Sequence, residues 1–466
     1  MHVSRRTVVV AGALSTAFVA GCQTYTERPL DAAATLDALA ERDGGDDSVR
    51  ALAASLRAGD SSGSAFDLTD GVDRAEATVI AQVWNPDLRR LRSALGVAVE
   101  VESWAGQWDD PVLSLDLLRA TSGIPHPWIV APSLSFTVPA MGRMDDERAH
   151  AAAQTAMARA QVAAAEWVVR CAVHDAFTAW SAAARQVAEI ERAQQAFAPL
   201  ITAMSQQAEA GELAQSELTL FTLEVDMLAV ELLQARMEAT AADGTLRQIL
   251  GIAPTAPIEF EMGFAPAGAG SDESPSTPSA HVAAHPAMRV LDEAYQVAER
   301  AVALEIRRQW PDLTIGPAYE RDTGQTRIGV IGAWALPIFN ANRAAIARAR
   351  AERTHARMVY DTALEERLHQ VRAAEARVRG AVDARGLMLT TVAPQVDQHV
   401  AAVRQLLEFG EVSPLVLLES LRRAHAARLA LLDLEREVDS ALTNLARHAG
   451  PVDDSTSLPS VVEDSR

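Results

Sequence analysis

The feature that most restricts this chain is an internal repeat. Asn85-Pro86 returns as His285-Pro286, Pro139 as Pro337, Arg143 as Arg343, Ala210-Gly211-Glu212-Leu213 as Phe409-Gly410-Glu411-Val412, and Leu250-Gly251 as Ala449-Gly450. The five landmarks keep their order and lie 198 to 200 residues apart. Most of the 466 residues are therefore two copies of one unit.

Each unit changes its hydrophobic period. In the second copy Val290, Ala294, Val297, Ala301 and Leu304 follow helical spacing. The pattern then alternates, with Leu313, Ile315, Pro317 and Tyr319 against Thr314, Gly316, Ala318 and Glu320. After a turn, the return strand sets Ile328, Val330, Trp334 and Leu336 against Arg327, Gly329, Ala333 and Ala335, with Ile331 and Gly332 blurring the pattern. The first copy matches it: Leu113, Leu115 and Leu117 oppose Ser114 and Asp116, and Trp128, Val130, Leu134, Phe136 and Val138 oppose Ala131, Ser133, Ser135 and Thr137. The expected strands are 111–119, 128–138, 312–320 and 326–337. One face is bulky and apolar and the other small and polar: in a soluble sheet the apolar face meets a core, and in a lipid-facing barrel it meets acyl chains while the polar face lines water. Trp104, Trp108, Trp128, Trp310 and Trp334 lie in or beside these strands, where an interfacial aromatic girdle falls. Asp116 and Glu320 on the polar faces become candidate lumen charges.

Beyond each return strand a proline, a small turn and an arginine open a long helical pattern, 142–208 and 342–408, which Pro199 and Pro394 should bend near its ends. Some 66 residues at 1.5 Å each reach roughly 100 Å. Val392, Val396, Val400, Val403 and Leu407 form a coiled-coil seam, continued by Leu431, Leu434, Val438, Ala441 and Leu445. Gly211 and Gly410 punctuate the tips, and Ser413-Pro414 reads as an N-cap with proline at the first helical position. Helices 212–250 and 413–449 return. The repeats span 72–251 and 285–450. Residues 252–284 read as a crossing linker, and 451–466 as a disordered tail.

Composition removes whole function classes. The net charge is −20 and all 42 basic residues are arginines, which leaves no basic face for nucleic acid and no lysine chemistry. No nucleophile–base pattern, phosphate loop or CxxC motif occurs, and His281 and His285, broken by Pro286, are not a helical ligand pair. An enzyme, a metal and a dissociable cofactor are not expected.

Arg5-Arg6 precede an apolar run, Thr7 to Gly21, too short to span a bilayer. Residues 1–21 read as a signal peptide. Val19-Ala20-Gly21-Cys22 resembles the lipobox of bacterial lipoproteins, which implies a covalent lipid on Cys22 and, with Gln23 following, an outer-membrane destination. Residues 22–71 would be the anchored segment, with helical pieces at 30–40 and 49–56. Cys171, among Val168, Val169 and Val173, reads as a packing residue.

These landmarks, and above all Leu336-Pro337-Ile338-Phe339-Asn340-Ala341-Asn342-Arg343, resemble the TolC-type outer-membrane factors (outer membrane efflux proteins), lipoprotein branch, over about residues 72–450. The resemblance implies a mainly α fold with a small β part: two structural repeats whose long antiparallel coiled-coil helices form an α-barrel, plus four strands per chain contributing to a twelve-stranded trimeric transmembrane β-barrel. Four strands cannot close a barrel alone, and an open edge cannot stand in lipid. The implied function is the exit duct of a tripartite efflux or type I secretion system, exporting small molecules or ions. Its partners would be two further copies, a periplasmic adaptor (membrane fusion protein), an inner-membrane pump and outer-membrane lipid, with no nucleic acid. The tips Gly211, Glu212, Gly410, Glu411 and Ser413 would dock the adaptor. Acidic gate residues about six and nine positions beyond the tip glycines fall on Glu217 and Glu419, while Val416 departs from the pattern; Asp383 and Asp397 are further candidate tunnel charges. The alternative is a lipid-anchored periplasmic coiled-coil structural or adaptor protein with its strand pairs in a soluble domain.

Overall fold

Four long helices set the architecture, and the sequence forms them because Ala, Leu, Arg and Glu dominate with few breakers. In the computed structural model, residues 25–59, 66–68, 70–119, 121, 123, 128–263, 282–322 and 324–451 are described. The expected signal peptide, Cys22, His281, most of the linker and the tail beyond Pro451 lie outside the described residues.

The N-terminal segment carries α1 (Ala32–Ala40) and α2 (Asp47–Gly59). The first copy contains α3 (Arg74–Trp84), α4 (Pro86–Ser103), β1 (Val112–Arg119), β2 (Trp128–Val138), α5 (Arg143–Glu209) and α6 (Gln215–Leu250). The second contains α7 (Pro286–Arg307), β3 (Leu313–Asp322), β4 (Gln325–Trp334), α8 (Arg343–Leu387), α9 (Ala393–Glu408) and α10 (Pro414–Ala449). Among the described residues no helix is long and apolar enough to cross a membrane.

The long helices lie in one row, α6–α5–α10–α8/α9, with α4 and α7 packed along the sheet-proximal part of the row. The sheet is antiparallel in the order β1-β2-β3-β4, so its centre joins the two copies and the outer edges of β1 and β4 have no partner among the described residues. Two large apolar cores and a small cluster of Ala381, Val438 and Ala441 lie in the helical part. The equatorial one gathers Ile80, Leu88, Val173, Phe177, Leu246 and Leu250, and the tip core gathers Phe197, Phe221, Leu228, Val403, Leu417 and Leu421.

Two expectations change and a third is sharpened. The second long arm is not one continuous helix: a π-helical turn at Met388–Val392 separates α8 from α9. Its cause is local, since Thr390, Thr391 and Val392 are β-branched and Pro394 has no N–H to give the preceding turn. β4 ends at Trp334 rather than near Pro337, because Trp334 pairs with Leu313, the first residue of β3, and nothing lies beyond to bond. The start of the linker is folded: Ile252, Ala253, Ala256 and Ile258 enter the equatorial core, and Val72 bridges Phe260. Arg247 holds this piece by donating to the carbonyls of Ala256 (2.7 Å) and Ile258 (3.0 Å). Cys171 is buried in α5 as expected, and burial pushes its thiol up, which leaves it unreactive.

Candidate functional site

The cross-strand register gives the sheet two chemically distinct faces. Leu113 pairs with Leu134, Leu117 with Val130, Leu313 with Trp334 and Tyr319 with Ile328, all on one face. Ser114 pairs with Ser133, Asp116 with Ala131, Ala318 with Gly329 and Glu320 with Arg327 on the other. Side chains two residues apart share a face, so the alternation read from sequence is the one the register enforces, with Ile331 on the polar face and Gly332 on the apolar one. The apolar face is uncovered: Leu113, Leu117, Ile328 and Val330 are all exposed. β2 has 11 residues and β3 has 10. At about 3.4 Å per residue and a tilt of about 40° they rise about 26 Å, close to the ~25 Å apolar band of an outer-membrane barrel.

The four helices that adjoin strands, α4, α5, α7 and α8, all meet the sheet at the same end. Trp104, Trp108, Trp310 and Trp334 cluster at that end and Trp128 at the other, each 57–68 % exposed. Two aromatic levels therefore bracket the apolar band.

The joint between copies is tight. A methyl group on Gly316 would lie 1.8 Å from the Leu134 carbonyl oxygen, so only glycine lets β3 approach β2 here. Below the sheet, Arg143 at the start of α5 pairs with Asp312, whose carboxylate also accepts from the Ala140 N–H at 2.8 Å. The first copy's wall helix is thus fixed to the second copy's strand.

At the equator the copies repeat one device with different residues. Asn85 caps α4 by accepting from the N–H groups of Asp87 and Leu88, while its amide donates to the Ile249 carbonyl at 2.8 Å. His285 caps α7 by accepting from the Ala287 N–H at Nδ1, while Nε2 faces the Arg447 carbonyl at 3.0 Å. Those contacts require a neutral ring with its proton on Nε2. Burial, then the Arg367 charge, pushes His285 down to about 4. Nearby, Arg74 of α3 pairs with Asp439 of α10, which is 2 % exposed and also accepts from Thr178 of α5. The Arg74 guanidinium lies 5.8 Å from the Phe177 ring, and adjacent His174 is pushed down to about 4 by burial, then by Arg74 and Arg170.

Both tips end in the same turn. Gly211 and Gly410 have φ of 78° and 74°, the left-handed conformation glycine adopts without strain. Glu212 N–H bonds Gln207 O and Glu411 N–H bonds Leu406 O, each at 2.9 Å, closing Schellman motifs. Glu212, Glu411 and Ser413 are exposed around them. Ser413 caps α10 through its side chain, as the Ser-Pro pair predicts, whereas Ala214 gives α6 no side-chain cap.

The expected gate acids flank the shared tip core. Glu217, half-buried in the first turn of α6, has no ion pair among the described residues. Glu419 lies on the exposed side of α10, beside a cleft of about 280 Å³ with His399 and Ser420, and bonds Arg423 one turn on at 2.8 Å. That i,i+4 spacing was visible in the sequence, and Arg423 is the functional neighbour that sequence reasoning missed. Asp397 faces Arg428 at 3.7 Å, and Arg422 of α10 reaches Glu224 of α6 at 3.3 Å, so part of the charge above the tips is matched within one chain.

No family model matches the chain, and no curated protein matches it at the level of sequence. Solved structures do. CusC aligns with a TM-score of 0.69 at 17 % identity, covering 82 % of this chain and 93 % of that one. The outer-membrane channel OprN aligns with a TM-score of 0.69 at 15 % identity over 92 % and 98 % of the two chains. The outer membrane protein VceC from Vibrio cholerae aligns with a TM-score of 0.67 at 15 % identity over 81 % and 96 %. The fold is that of TolC-type outer-membrane channels, with the likeness running nearly the full length of each.

Proposed function

We propose that three copies of this chain close into an exit duct across the outer membrane, anchored by a lipid on Cys22, and that a periplasmic adaptor at the tips hands it small molecules or ions from an inner-membrane pump. The observation that carries this reading is the uncovered four-stranded sheet, with an apolar outer face and bare edges at β1 and β4. Bare edges are intolerable in lipid, and identical copies related by rotation remove them by pairing β4 of one with β1 of the next.

The helical row carries the same incompleteness. Its α6 end exposes Leu220, Leu223, Met227, Val230 and Met237 at heptad spacing, a seam left uncovered by the described residues of its own chain. At the other end, α8 and α9 expose Val382, Leu387 and Leu406. Joining the two ends between neighbours closes a tube below the barrel. The exposed apolar strand face weighs against the soluble periplasmic alternative, because water-facing Leu113, Leu117 and Ile328 would be an aggregation surface.

Membrane extraction tests the reading. The protein is expected to resist carbonate, to need detergent, and to run as an oligomer on unboiled gels. Release by carbonate as a monomer would favour the soluble alternative.

A further inference from the structure

The apolar face of the sheet carries charge at one level only. Register places Arg119 opposite Trp128 and Arg321 opposite Val130 on the apolar side, both at the strand ends remote from the helices. Nearer the helices the same face carries Leu, Ile, Val, Phe, Tyr, Pro, Gly and Trp, with no charged side chain.

Neither arginine has a carboxylate at ion-pair distance among the described residues, and both are exposed. Arg327 on the polar face is different, because Glu320 holds it at 2.8 Å. Arg119 lies instead 5.7 Å from the ring of Trp128, the aromatic that marks the same level. A guanidinium in the hydrocarbon midplane costs about 2–4 kcal/mol, a cost that falls away at the interface. An uncompensated pair is therefore stable only where headgroups lie. β2 separates the two arginines, and with two strand spacings across and two residues along, their Cα atoms are about 12 Å apart. Two long side chains can close that span around one headgroup.

We infer that Arg119, Arg321 and the Trp128 ring form a belt on the outer face of the barrel that binds net-anionic, phosphomonoester-bearing lipid headgroups of the leaflet remote from the helices. The forked guanidinium matches phosphate in two-bond geometry, and the indole covers the neighbouring acyl or sugar surface. The inference rests on the duct reading, since it needs the sheet to stand in a bilayer.

The test is native mass spectrometry of the detergent-extracted oligomer, titrated in turn with diphosphoryl lipid A, phosphatidylcholine and inorganic phosphate. Selective retention of the diphosphoryl lipid is expected, reduced about tenfold or more in Arg119→Gln/Arg321→Gln, in line with the loss of one or more charge-assisted contacts. Arg327→Gln, on the opposite face, is expected to retain the lipid as the unaltered protein does. An intact oligomer whose retention is the same in the double variant, or equal for phosphatidylcholine, overturns the belt and leaves the duct standing. Inorganic phosphate binding as tightly as the lipid overturns the lipid assignment. A chain that extracts without detergent overturns both.

Discussion

The two arms of the molecule follow one plan and differ in how they are built. The first, α5, runs unbroken from Arg143 to Glu209 with Pro199 inside it and turns at a tip whose return helix has no side-chain cap. The second is split by the π-helical turn at Met388–Val392 and turns at a tip capped by Ser413 and Pro414. Where the backbone must reverse, the copies agree: positive φ recurs at Gly142 and Asn342, at Gly211 and Gly410, and at Gly251 and Gly450. The matched points fix where the chain reverses, while the segments between them differ in how their helices are broken and capped. The second copy caps its return helix through a side chain, which the first does not, and carries the one π-helical break among the described residues.

The comparison can be broken most severely at the seam between copies. Gly316→Ala is expected to part β3 from β2 and abolish heat-modifiable oligomers on gels, whereas Gly329→Ala, which meets nothing within 4 Å, is expected to leave them intact. Asp439→Ala strands Arg74 beside a buried void and is expected to cost about 3–5 kcal/mol, read as a lower thermal midpoint. Because that pair ties α3 to α10, the loss would fall on both copies.

The equatorial caps differ in their response to acid. An unfolded histidine takes a proton near 6.5, but folded His285 does so only at about 4. Its contribution is present above about 6.5 and is lost as pH falls toward 4, since the unfolded state then binds the extra proton. Asn85 in the first copy has no such dependence. His285→Asn, which keeps a donor and an acceptor, is expected to narrow the drop in thermal midpoint between pH 7.5 and pH 5, with His174 responsible for part of what remains. An unchanged drop would remove His285 from the account.

At the tips the expected effects are smaller. Ser413→Ala is expected to cost about 1 kcal/mol and Ala214→Ser to return part of that to the first copy, both measurable by denaturant titration. The gate acids should separate by copy in bilayer conductance. Glu217 is unpaired, so Glu217→Gln is expected to lower cation preference; Arg423→Gln unmasks Glu419 and is expected to raise it. Unchanged selectivity in both variants would move these acids out of the lumen.

Much of this was legible in the sequence because its causes are local or periodic. Two-residue alternation gave the faces of all four strands, and a fixed offset gave the matched turns at Gly211 and Gly410. Interactions decided at long range were not legible. Arg74 and Asp439 lie 365 residues apart, and nothing in the neighbourhood of either announces the other. β4 stops at Trp334 because β3 begins at Leu313, a matter of partner length. The π-helical turn had a local signal in Thr390-Thr391-Val392 before Pro394, but helical periodicity continues across it and conceals it. For the candidate site, the tips and Glu419 were placed from resemblance, while the charge partner Arg423 emerged from the structure.

The central claim is that one chain is a third of a closed wall. Its most direct test is the number of chains in the detergent-extracted assembly, measured by native mass spectrometry and by stepwise crosslinking. Three chains are predicted, because twelve strands then close the barrel with neither β1 nor β4 left bare. A stable monomer or a dimer that stays in the membrane would contradict it.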